Sequence, residues 1–189
     1  TGGTGFIGTH TAVELIQTGY DVIAIDNLSN SAESMLDGVQ KITGTRPDFH
    51  KIEMTDPDAL NSFFNQHPDL HAVIHFAALK AVGESVQKPL LYYKNNLESL
   101  FNLLECMTKH EIRPLVFSSS STVYGQADKL PVTENSPIQK AESPYGHTKQ
   151  IGEQAIESHI ASGSPVKGIL LRYFNPIGAH PSSHIGELP

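Results

Sequence analysis

Cysteine is nearly absent from the chain: Cys106 stands alone among 189 residues. A lone thiol makes no internal disulfide and builds no thiolate cluster for zinc, which points to a reducing compartment, the cytoplasm. Basic residues are scarce as well, 13 against 20 acidic ones, for a formal charge of -7. Affinity for a phosphate backbone rests on clustered Lys and Arg, so a nucleic-acid partner is disfavoured, while small anionic ligands stay open where local dipoles oppose the net field. No apolar run approaches the length of a membrane span, no signal-like segment opens the sequence, and no repeat, charge block or low-complexity tract interrupts it. What remains is 39% hydrophobic with 15 glycines, close to the globular average, and its 189 residues make about one domain with a sizeable core.

Short β-branched apolar runs recur at Val22–Ile25, His50–Glu53, Ala72–Phe76, Leu115–Ser118 and Lys167–Arg172, mostly without alternation, as strands buried on both faces would. Helical patterns lie between them, at Phe6–Thr18, Ala32–Ile42, Ala59–Asn65, Leu90–His110 and Tyr145–Ala161. In the longest, Tyr93, Leu97, Leu100, Leu104 and Met107 form one stripe, with Lys94, Glu98 and Lys109 facing water. Asp56-Pro57 and Ser143-Pro144 read as helix starts, a capping side chain followed by proline in the first turn, and Gly19 and Gly44 as helix ends. Gly125–Pro144, polar and proline-rich, reads as a long loop of the kind that often carries function. Alternating strand and helix predict an α/β fold with a doubly wound, Rossmann-like parallel sheet, whose ligands gather beyond the carboxyl ends of the strands.

Gly2, Gly5 and Gly8 recur every three residues just before the first helix. The first permits a tight turn, the second lets backbone N–H groups approach a pyrophosphate, and the third lets the helix pack closely, its N-terminus supplying positive dipole. An ordinary loop is the alternative reading. Asp26 closes the next apolar run, where a carboxylate can accept from a ribose 2′-OH and would repel a 2′-phosphate, so NAD is favoured over NADP. The competing role for Asp26 is a turn or cap residue in Asp26–Ser31.

Tyr145 and Lys149 stand four apart, on one face of the helix that opens after Pro144. A free phenol titrates near ~10 and is a poor base at neutral pH. A neighbouring ammonium and the positive ring of an oxidised nicotinamide both favour the phenolate. Ser118–Ser121, at a strand end, offers a hydroxyl to hold the substrate oxygen.

Thr1–Gly8 (TGGTGFIG), Asp26–Ser31, His75–Val86 (HFAALKAVGESV), Phe117–Gly125 (FSSSSTVYG), Tyr145–Lys149 and Leu171–Pro181 (LRYFNPIGAHP) together resemble the UDP-glucose 4-epimerases, a family of extended short-chain dehydrogenases/reductases. The resemblance runs from residue 1 to residue 189. It implies an isomerase of galactose metabolism that interconverts UDP-galactose and UDP-glucose through transient oxidation to a 4-keto sugar, with resident NAD. By the same resemblance Tyr145 is the base, Ser120 positions the sugar hydroxyl, and Lys149 tunes Tyr145 and binds the nicotinamide ribose. Gly2, Gly5, Phe6, Ile7 and Gly8 would meet the cofactor, as would Asp26, Asn27, Leu28, Ser29, Asn30 and Ser31. Glu53, Met54, Phe76, Ala77, Ala78, Leu79, Lys80, Asn95, Ser120, Tyr145, Lys149 and Phe174 complete that set. Lys80, Ser120, Tyr145 and Asn175 would meet the sugar nucleotide. A homodimer through the Leu90–His110 helix is also implied. Two positions depart from the family pattern: Glu53 stands where Asp is usual, and Ala78 where many relatives have Gly.

Dehydratases of the superfamily carry an acidic pair after the serine or threonine, and Ser121-Thr122-Val123 holds none. A 4-epimerase of UDP-N-acetylglucosamine or UDP-glucuronate stays open, as does a non-catalytic dinucleotide-binding fragment or sensor, although Tyr145 and Lys149 are both present. A serine hydrolase would want Gly-x-Ser-x-Gly, which the serine run lacks. His67, His71 and His75 are four apart, but a strand over Ala72–Phe76 does not bring that spacing together, so no metal is expected. His75 reads as a satisfied core histidine and Cys106 as a buried helix residue. A glycine loop ordinarily follows a central strand, and no apolar run precedes Thr1. Residues 1–189 are therefore expected to be a cofactor-binding domain that lacks its first strand and a C-terminal substrate domain. Made alone, this stretch is expected to fold poorly and not to turn over substrate.

Overall fold

A computed structural model describes residues 1–187. In chain order the elements are α1 (Phe6–Gln17), β1 (Ile23–Asp26), α2 (Met35–Thr43), β2 (Asp48–Lys51), α3 (Pro57–Gln66), β3 (Val73–His75), α4 (Val82–Gln87), α5 (Pro89–Lys109), β4 (Pro114–Ser120), α6 (Pro144–Ala161) and β5 (Lys167–Tyr173). The expected alternation is present, and every strand pair is parallel.

The strands form two sheets, β1-β2 and β3-β4-β5, where the sequence pattern predicts one. Thr1–Gly3 joins them. Gly3 donates its amide to Ile25 O at 3.1 Å, and Phe76 donates to Thr1 O at 3.1 Å, so these residues occupy the place between β1 and β3. That is where a doubly wound sheet reverses its strand order and where ligands bind.

Burial on both faces holds for β1 and most of β4 but not for β2 or β5. Each of the latter pairs on one side only, so less of it is covered. A larger core lies among β3, β4, α3, α5 and α6, with Leu60, Phe64, Leu103, Met107 and Leu115 almost fully enclosed. A smaller one joins α1, α2 and β1, and receives Ile185 from the segment after β5. Leu188 and Pro189 lie outside the described residues.

The capping signals act as read. Asp56 accepts from the amides of Asp58 and Ala59 with Pro57 in the first turn, and Ser143 accepts from Gly146 ahead of Tyr145. Gly44 closes α2 in the left-handed region. Three features depart from expectation. Helix α4 and a 3₁₀ turn at Ser121–Tyr124 were not anticipated, and the buried stripe of α5 starts at Tyr92 instead of Tyr93. Cys106 is buried, and His75 is a core histidine that shares a 2.8 Å hydrogen bond with Thr1 Oγ1. Among the described residues no helix is long and apolar enough to cross a membrane.

Candidate active site

A cavity of about 680 Å³ opens at the carboxyl ends of β1, β3 and β4. One end is the loop before α1. Gly2 has φ +68°, and a Cβ there would press on the backbone of Phe76 and Ala77, while one at Gly8 would collide with the carbonyl oxygen of Gly2. The loop thus stays close to the sheet only because side chains are missing. No side chain caps α1 and no acidic residue lies in its first turn, so its N–H groups and positive dipole face the cavity through Phe6, Ile7 and Gly8, while Gly5 N donates to Gly2 O at 3.2 Å.

Asp26 ends β1 at the cavity wall, 8% exposed. Its carboxylate accepts from Thr4 N (3.3 Å), Leu28 N (2.9 Å) and Ser31 Oγ (3.1 Å), so it organises its own loop while presenting a buried negative charge. Both roles read from the sequence, turn residue and cavity acid, are compatible with this geometry. Leu28, with φ 62°, is the one proposed contact that does not line the cavity; its amide turns back to Asp26. Glu53 lies two residues past β2 and accepts from Asn27 Nδ2 at 2.8 Å. Burial pushes the Glu53 carboxyl up, but the Asn27 bond and local amides outweigh it and leave the pKa lowered.

The opposite wall joins β4 to α6. Ser120 ends β4, and its Oγ accepts from Thr122 N at 3.2 Å and Thr122 Oγ1 at 3.0 Å. Tyr145, in the first turn of α6, is raised above the usual phenol range by burial, with the nearby Ser120 hydroxyl pulling the other way. Lys149 lies one turn on, 4% exposed, and donates to Ser118 O at 2.6 Å. Its ammonium sits 4.9 Å from the Phe117 ring centroid and 5.8 Å from that of Tyr145, and burial lowers its pKa to about 8. His75, stacked on the far side of the cluster against Phe117, is held well below its ordinary pKa by burial.

The remaining residues proposed from the sequence, Ser29, Asn30, Ser31, Met54, Phe76 to Lys80, Asn95, Phe174 and Asn175, all line the same cavity. The sequence pattern missed several others. Asn96 is buried beneath the wall, accepts from Leu79 N at 2.8 Å and donates to Leu79 O at 3.0 Å, fixing that loop against α5. Glu153 receives two bonds from Arg172 and one from Ser119, and Arg172 also donates to Tyr124 Oη at 3.1 Å. This network braces the strand end that carries Ser120. Glu187 reaches the cavity rim from the terminal segment and pairs with Lys80 at 2.7 Å.

Residues 1–188 match the family model of the NAD dependent epimerase/dehydratase family. The chain belongs to that family. It is 48% identical over 193 residues to UDP-glucose 4-epimerase uge1 of Schizosaccharomyces pombe, covering 100% of this chain and 54% of that protein. UDP-glucose 4-epimerase 2 of Arabidopsis thaliana is 50% identical over 192 residues, with the same coverage of 100% and 54%. Among solved structures, UDP-glucose 4-epimerase from Bifidobacterium longum in complex with NAD+ and UDP superposes with a TM-score of 0.94 at 46% identity, over 98% of this chain and 55% of that one. The chain thus spans about half the length of the curated relatives it matches.

Proposed function

We propose that the protein carrying this chain is an NAD-dependent UDP-sugar 4-epimerase that interconverts UDP-galactose and UDP-glucose, and that residues 1–189 are its dinucleotide-binding domain. The observation that supports this most is that one cavity is walled by both the glycine loop and the Ser120, Tyr145 and Lys149 cluster. The uncapped α1 terminus suits a pyrophosphate, and the buried Asp26 carboxylate suits a ribose diol and disfavours a 2′-phosphate. When bound, NAD supplies a hydride acceptor for the sugar C4 and a positive ring charge. Tyr145 would take the proton of the sugar 4-OH and return it to the same oxygen as turnover is completed. Ser120 holds the reacting oxygen. Lys149 sits where it can bond the nicotinamide ribose and favour the Tyr145 phenolate. Asn175 and Lys80 contact the sugar nucleotide from the rim. A second copy docks on α5, where Leu90, Leu91 and Phe101 are exposed, and the lone Cys106 suits the cytoplasm.

The direct test uses the whole protein. Denaturation should release NAD, identified by absorbance and mass, and a coupled assay should show turnover of UDP-galactose. Tyr145→Phe should lower that turnover by about 10³-fold or more while leaving the NAD content unchanged, since the phenol oxygen serves only proton transfer. Purification with NADP, or unchanged turnover in the variant, would overturn the assignment.

A further inference from the structure

One set of metal-ligating side chains converges outside the cavity. We propose that Asp48, His50 and His67 form a binding site for a divalent cation of the zinc class, none of the three being among the residues that line the cavity. Asp48 and His50 are two apart on β2 and so project from one face of the strand. His67 arrives from another element, as the residue that ends α3. One ligand atom from each lies within 4.8 Å of the other two, and His50 Nε2 is 3.2 Å from Asp48 Oδ2.

The donors are held by packing before any ion arrives. The His50 ring meets Phe63 edge-on at 5.0 Å and His67 edge-on at 4.9 Å, while His67 also lies against Phe63 at 4.5 Å between centroids. Asp48 Oδ1 accepts from Phe49 N at 2.9 Å, which steadies the carboxylate and leaves Oδ2 turned to the imidazole. Metal bonds to imidazole nitrogen and carboxylate oxygen run about 2.0–2.2 Å, so donors around a tetrahedral ion stand roughly 3.3–3.6 Å apart. A contraction of about an ångström, within the reach of side-chain rotation on a partly exposed site, completes the coordination. Two imidazoles and one carboxylate select Zn²⁺, Co²⁺ or Ni²⁺ over Mg²⁺ and Ca²⁺, which prefer oxygen ligands. Three protein donors leave the fourth position to water, on the side where Asp48 is exposed. An ion held there clamps the end of α3 to β2 and stabilises the folded chain by mass action.

Calorimetric titration of the chelator-treated whole protein with zinc chloride should reveal a site that weakens at least tenfold in each of Asp48→Asn, His50→Gln and His67→Gln. Cobalt loading should give the visible absorption of a tetrahedral ion in the parent and lose it in the variants. Asp48→Asn is isosteric at an exposed position, so it separates a lost ligand from a lost fold. Zinc should raise the denaturation midpoint of the parent and leave that of Asp48→Asn unchanged. No zinc heat in the parent, or equal zinc affinity in the parent and all three variants, would overturn the site.

Discussion

Lys149 holds its ammonium 5.8 Å from the centroid of the Tyr145 ring, buried and without an ion pair among the described residues. Its one bond is to a neutral carbonyl, Ser118 O. The consequence is a pKa lowered from 10.5 to about 8. Between those values the unfolded chain binds more protons than the folded one, so stability rises with pH across that window. Below about pH 8 the cost of the buried charge is present in full. It amounts to about 3 kcal/mol. In cofactor-free protein, Lys149→Met should flatten the slope of stability against pH between about 8 and 10.5, measured by chemical denaturation. A slope equal to that of the parent would show that the ammonium is solvated.

That pair was legible in the sequence because it is local: a Ser-Pro start, then a phenol and an amine one turn apart. The glycine loop and Asp26 were legible for the same reason, since a tight turn and a strand end are each decided within a few residues. Asn96 was not. Its partners Leu79 and Thr148 lie 17 and 52 residues away, and an asparagine inside an apolar stripe gives no hint of which backbone it will satisfy. In the stripe of α5, Leu100, Leu104 and Met107 are buried as read, but towards the start of the helix, where polar Asn96 takes a buried place, Tyr92 is enclosed instead of Tyr93. Helix α4 is six residues long, too short to show a period.

Asn96 is therefore where a prediction can go beyond the sequence motifs. Its amide binds both the N–H and the C=O of Leu79 and reaches Thr148 Oγ1 at 3.2 Å, tying the cavity floor to α5 and α6. Asn96→Ala leaves those groups without partners at a buried position, which costs about 1–3 kcal/mol. The denaturation midpoint should fall by a few degrees, and NAD should be held more weakly because Leu79 and Lys80 lose their anchor. An unchanged midpoint would mean that water replaces the amide.

Arg172 and Glu153 make the second long-range tie, a two-pronged ion pair with Glu153 almost fully buried and Arg172 half-buried. The pair raises the Arg172 pKa, chiefly through the bonds to Glu153. Breaking such a pair from one side strands a buried charge and costs about 3–5 kcal/mol, whereas replacing both partners with apolar residues is often nearly neutral. Arg172→Met should therefore destabilise strongly, and Arg172→Met with Glu153→Leu should recover much of the loss. Additive losses in the double-mutant cycle would argue that the two side chains act independently.

Gly8 tests the cradle itself. A Cβ at this position would collide with the carbonyl oxygen of Gly2 and also meet Gly3 Cα at 3.0 Å, both backbone atoms with no rotamer to yield. Gly8→Ala must push α1 away from the loop, and the free N–H groups of its first turn move with it. The cavity wall formed by Asp26 and Glu53 is set by β1 and β2 and should keep its shape. The expected outcome is a protein that folds with a lowered midpoint and purifies with little or no NAD. NAD released from the denatured variant and compared with the parent decides it: full cofactor content would show that the loop relaxes without losing its grip on the phosphates.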